Sequence, residues 1–147
     1  MRRSTFLATA AALVSAAYLT ACGSPPRDLD LTLEHASTQG HFVVALVPPP
    51  AGPVLDQIQT WQLRLHSRDG RPVSDARILF NGGMPQHGHG FPTRPRVTRE
   101  LSPGVYALEG VKFSMSGWWD MRLGIAAGER TDTAVFNVVL DDSRHRR

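Results

Sequence analysis

Cysteine, lysine and long apolar runs are nearly missing from this chain of 147 residues. The single cysteine, Cys22, excludes an intramolecular disulfide and every paired-cysteine zinc or redox motif. One lysine, Lys112, stands among sixteen basic residues, and the arginines are scattered apart from a terminal "RHRR". No basic stripe for nucleic acid emerges from that distribution, and none is expected to bind. No segment holds the about 20 strongly apolar residues that a membrane-spanning helix needs. Ser-His-Asp order, Gly-x-Ser-x-Gly and a phosphate loop are also missing, so no enzymatic function is expected.

The beginning of the chain is distinctive. Arg2 and Arg3 precede the small-residue apolar run "FLATAAALVSAAYLTA", the order of a secretory leader. The run ends in "LTAC", which resembles the lipobox of bacterial lipoproteins, with Cys22 as the residue that is lipidated. That resemblance implies a leader over residues 1–21, an exported chain held to a membrane through Cys22, and a location in the cell envelope. By the same resemblance, Gly23 in place of an acidic residue favours the outer membrane where one exists. Cleavage leaves 126 residues (147 less 21), one domain's worth, and lowers the formal charge from +3 to +1 by removing two arginines.

Residues 22–40 are polar and weakly patterned and read as a tether, with a short ordered piece expected in "LDLTL". From His41 the period changes to two. "HFVVALV" is β-branched; "QIQTWQLRLHS" puts Trp61, Leu63 and Leu65 on one face; "WWDMRLGIAA" does the same for Trp119, Met121, Leu123 and Ile125. With "ARILFNG", "RVTREL", "VYALEGV" and "AVFNVVL", and turns such as Asp69-Gly70 between them, about seven strands follow. The expected fold is all-β, an immunoglobulin-like antiparallel sandwich over residues 41–141, with a basic tail over residues 142–147.

One loop carries unusual chemistry. "GGMPQHGHGF" places Met84, His87 and His89 within six positions, among glycines. Copper(I) takes soft thioether sulfur and also imidazole nitrogen. Zinc suits the loop less, with no second cysteine and no carboxylate nearby. In an extended chain His87 and His89 share one side and Met84 takes the other, so the three converge only if the chain bends. The alternative is a hairpin connection with exposed imidazoles and Met84 in the core. Counting strand directions brings the loop and "KFSMSG" to one end of the sandwich, making Met115 a candidate fourth ligand. The same count sends His41 and His66 to the opposite end. His35 falls in the tether and His145 in the tail. Met121 and Trp119 read as core, and Trp118 as a partly buried residue near the turn.

The stretches "DGRPVSDA", "MPQHGHG", "GVY" and "FSMSGWW" together resemble the YtkA-like domain, related to FixH-like envelope proteins, over residues 69–125. The resemblance implies an immunoglobulin-like module and copper ligands at Met84, His87, His89 and Met115. It also implies an envelope copper protein or an oxidase assembly factor as partner. The expected function is copper binding or delivery from a lipid anchor. The alternative is a module that binds an envelope protein or small ligand without metal, because fold does not fix function.

Overall fold

The computed structural model describes residues 24–141. The expected leader, Cys22 and the basic tail lie outside the described residues. Among the described residues nine strands form: β1 (Glu34–Ala36), β2 (Phe42–Val47), β3 (Gln59–Ser67), β4 (Arg77–Met84), β5 (His89–Gly90), β6 (Arg96–Ser102), β7 (Val105–Val111), β8 (Gly117–Ala127) and β9 (Arg130–Leu140). They pair into two antiparallel sheets, ordered β1-β2-β3-β7-β6 and β5-β4-β8-β9. Without the two short strands, the seven long ones follow the order of a constant-type immunoglobulin sandwich. They are the seven strands that the alternating pattern predicts.

The alternation makes the core. Along β3 the inward residues Trp61, Leu63 and Leu65 are buried while Thr60, Gln62 and Arg64 are exposed. On β8 the inward set is Trp119, Met121, Leu123 and Ile125, and on β9 Ala134, Phe136 and Val138. Burying each large apolar side chain contributes about 1.5–3 kcal/mol, which sets the register against a one-residue slip. Tyr106 fixes the crossing from β3 to β4. Its hydroxyl donates to the Val73 carbonyl at 2.7 Å and accepts from the Ala76 N–H at 3.0 Å.

Three features differ from the sequence expectation. "GERTDT" is not all turn: only the residues between β8 and β9 turn, and Thr131 to Thr133 continue the strand. A two-residue β5 closes a hairpin on β4. The third difference is larger. Much of residues 24–40 lies along the sandwich: β1 pairs with β2, Asn137 Nδ2 donates to the Asp30 carbonyl at 2.9 Å, and the Leu46 N–H donates to the Leu33 carbonyl at 2.8 Å. The stretch read as a tether therefore contains a strand. Its short apolar signal, Leu33 packed on the core, is diluted by polar neighbours.

The strongest fixture of this segment is Asp132, on β9 close to its turn. One carboxylate oxygen accepts from the Ser37 hydroxyl at 2.6 Å, and the pair of oxygens accepts the N–H groups of Gln39, His41 and Thr133. Burial pushes the Asp132 carboxyl up, but these donors outweigh it and hold the pKa at about 2. His41 lies beside it, its Nδ1 3.8 Å from Asp132 Oδ2 and beyond hydrogen-bond distance.

Candidate functional site

β4 climbs to Met84, turns through residues 85–88 and returns as β5, pairing Gly83 with Gly90 and Met84 with His89. The N–H groups of His87 and Gly88 both donate to the Met84 carbonyl at 3.0 Å, and Gly88 takes a positive φ of 66° that closes the turn. Gly83 is needed for a different reason: a Cβ there would overlap the His89 carbonyl oxygen. Asp120, on neighbouring β8, receives the Gly83 N–H at 2.9 Å. The hairpin is thus held by backbone pairing within it and by the Asp120 carboxylate from β8.

The turn also changes the parity read from an extended chain. As directly paired residues, Met84 and His89 leave the hairpin on one face, with Cβ atoms about 5 Å apart. This is the bend that convergence required. Met84 itself is core: it is 1% exposed and belongs to the buried cluster. Its methyl group lies over Gly117, where an added Cβ would come within 3.0 Å. His87 and His89 are exposed, and their rings stack with centroids 5.9 Å apart at 30°. Met115 is 43% exposed.

Trp119 joins these pieces. The ring of His89 meets it edge-on at 5.9 Å, and its Nε1 donates to the Met115 carbonyl at 3.0 Å. Phe91 and Phe113 pack on the same indole at 4.8 and 5.4 Å. An aromatic block therefore supports the hairpin from below and ties it to the loop that carries Met115. The hairpin and this loop share one end of the sandwich, as counting strand directions predicts, and His41 and His66 sit at the other end. His35 stacks on Phe136 at 4.3 Å. Trp118 faces away from the hairpin and donates to Asn137 Oδ1 at 2.9 Å.

His89 Nδ1 lies 3.1 Å from the Gly90 carbonyl. A carbonyl only accepts, so Nδ1 is the donor in this contact, which leaves Nε2 as the ring atom that could meet a ligand. Two nitrogens bound to one ion at about 2 Å each lie within about 4 Å of one another, closer than the 5.9 Å between these two ring centroids. Beside the hairpin, Asn81, Gly82, Gly83, His89, Asp120 and Arg122 line a shallow depression of about 290 Å³. Asp120 does not offer free charge there, because its second oxygen accepts from Arg122 Nε at 2.8 Å. Among the described residues, no three His, Cys, Asp or Glu side chains gather as a ready metal cluster. Nothing in the sequence marks Trp119 as the support of His89. Only its core periodicity was visible.

A family model described as YtkA-like matches residues 34–124. A search of curated proteins returns no match. The crystal structure of a DUF4426 family protein from Pseudomonas aeruginosa PAO1 is similar in fold, with a TM-score of 0.50 at 15% identity, covering 75% of this chain and 98% of that one. The family match begins at Glu34, the first residue of β1.

Proposed function

The chain belongs to the YtkA-like family, and on that premise we propose that it is a lipid-anchored envelope module that binds or delivers copper through the His hairpin. The observation that carries this reading is the pair of exposed imidazoles, 5.9 Å apart on a hairpin whose backbone is fixed on both sides. The donor set fits Cu(I): His87 and His89 supply nitrogen, and exposed Met115 supplies thioether sulfur from the adjoining loop. Met84 is the cross-strand partner of His89 and would offer its sulfur from beneath. The Nδ1 contact of His89 plays the orienting part that a second layer plays around a metal. The anchor is Cys22, in its "LTAC" setting.

Cu(I) competition against a chromophoric chelator tests the proposal. The purified protein should withdraw copper from the chelator, and the double variant His87→Ala, His89→Ala should not. Failure to compete at micromolar copper, or equal affinity in the double variant, refutes it. Met84→Leu and Met115→Leu remove one sulfur each while conserving volume, and so assign the thioether ligands separately.

A second reading has its own observation. The depression beside the hairpin, with Asn81, His89 and Arg122 at its margin, suits a polar segment of another envelope protein. Capture of a partner that survives chelation but is lost on Arg122→Ala supports that reading over the first.

A further inference from the structure

Gln86, at the tip of the His hairpin, donates from Nε2 to the carbonyl of Ser24 at 2.8 Å. Ser24 lies two residues after Cys22. A chain spans at most about 3.5 Å per residue, so Cys22 is confined to within about 7 Å of a residue bonded to the hairpin tip. From there the chain descends beside β9, bonded at Asp30, and is fixed at the far end by Ser37 and Thr38 before β2 rises. The leading segment is therefore tied to the sandwich along its length, with its membrane end at the hairpin.

The surface at that end has a matching character. Four loops meet there: residues 48–58, 85–88, 91–95 and 112–116. Together they contain one carboxylate, Asp56, and Lys112 lies 3.4 Å from it. They expose Ile58 (70%) and Met115 (43%) among prolines. The opposite end carries Arg68, Asp69, Arg71, Asp75, Glu129 and Arg130. That end, with exposed apolar side chains in its loops and Arg27, Asp28, Arg94 and Asp141 around them, suits the mixed, charge-bearing headgroup region of a bilayer. The charged end suits bulk water.

We infer that the His-hairpin end of the sandwich is the membrane-facing surface, so that His87 and His89 open at the level of the lipid headgroups. This rests on the lipid anchor at Cys22 that the proposed function includes. It does not rest on the metal. The consequence is that whatever the hairpin exchanges, it exchanges against the membrane surface and not toward the compartment's interior.

The lipidated full-length protein, reconstituted in phosphatidylethanolamine/phosphatidylglycerol vesicles, provides the test. With Cys22 acylated, a single introduced cysteine takes a fluorophore without competition. Gln57→Cys marks the hairpin end and Glu129→Cys the charged end; both positions are exposed. β9 alone spans about 35 Å at about 3.3 Å per residue, so nitroxide on the lipid headgroups should quench position 57 at least about threefold more than position 129. Adding Gln86→Ala should reduce that contrast. Equal quenching, or stronger quenching at position 129, in protein that floats with the vesicles overturns the inference while leaving the anchor intact. Protein that does not float, and that lacks the acyl mass on Cys22, overturns the anchor and the inference with it.

Discussion

Asp132→Asn should destabilise the protein at neutral pH and flatten its acid sensitivity. The carboxyl is 3% exposed and accepts from one hydroxyl and three backbone N–H groups. Its pKa of about 2 in the folded chain compares with an ordinary 3.8. Because the folded value is the lower one, the stabilisation is present above the unfolded pKa and is lost as pH falls from about 4 toward 2. At 1.36 kcal/mol per unit, the contribution is about 2 kcal/mol at pH 7 and a fraction of that at pH 2. Asparagine keeps one acceptor and turns the other position into a donor, facing N–H groups that it cannot satisfy. Its cost at pH 7 is about 2–4 kcal/mol. Urea unfolding followed by tryptophan fluorescence at pH 7 and pH 2 measures both quantities. The wild type should lose about 2 kcal/mol more than the variant between the two conditions. Parallel losses would mean that the Ser37 and backbone donors do not hold the carboxylate as described.

Other outcomes follow from the hairpin and the core. Gly83→Ala should lower the melting temperature and disturb the β4–β5 pairing, since the new Cβ meets the His89 carbonyl; calorimetry and amide exchange at Gly90 read both effects. Met84→Ala should cost about 2–5 kcal/mol by leaving a cavity, whereas Met84→Leu should cost under about 1.5 kcal/mol, as measured by denaturant midpoint. Tyr106→Phe loses both hydrogen bonds at the crossing between β3 and β4 and should cost about 1–2 kcal/mol in the same assay. Removing the imidazoles of His87 and His89 should reduce Cu(I) affinity beyond the about 10–100-fold typical of losing an outer orienting partner, with little change in melting temperature.

The parts of this fold that the sequence revealed are those governed by one short-range rule. Trp61, Leu63 and Leu65 alternate because one side of β3 is buried, and that period is visible without knowing what buries it. The side of the sandwich on which the His hairpin and Met115 meet was legible for a related reason: reversing direction at each strand is nearly forced when connections are short. What the sequence concealed depends on long-range geometry. Residues 34–36 make a strand only because the edge of β2 accepts them. Asp132 looks like any acidic residue near a turn until Ser37, 95 positions away in sequence, is folded against it. Met84 reads equally as ligand or core, because a thioether serves both. Whether the chain bends between Met84 and His89 is also hidden, because a two-residue period stops at a turn; the β4–β5 hairpin supplies that bend.

The two ends of the leading segment act together. At the charged end, Asp132 gathers Ser37, Gln39 and His41; at the other, Gln86 holds Ser24 by a single exposed bond. One neutral hydrogen bond in water is worth only about 1 kcal/mol and would not by itself keep a lipid anchor in place. It suffices if the chain it joins is already laid along the sandwich, because most of the ordering entropy has been lost at Asp30, Leu33 and β1. The proposed orientation of the His hairpin toward the bilayer would therefore draw on a carboxylate at the opposite end of the molecule. Asp132→Asn should reduce the quenching contrast between positions 57 and 129 in vesicles, even under conditions where the sandwich remains folded. A contrast that is unchanged in that variant would mean that the Gln86 bond and the β1–β2 pairing hold the segment without the staple.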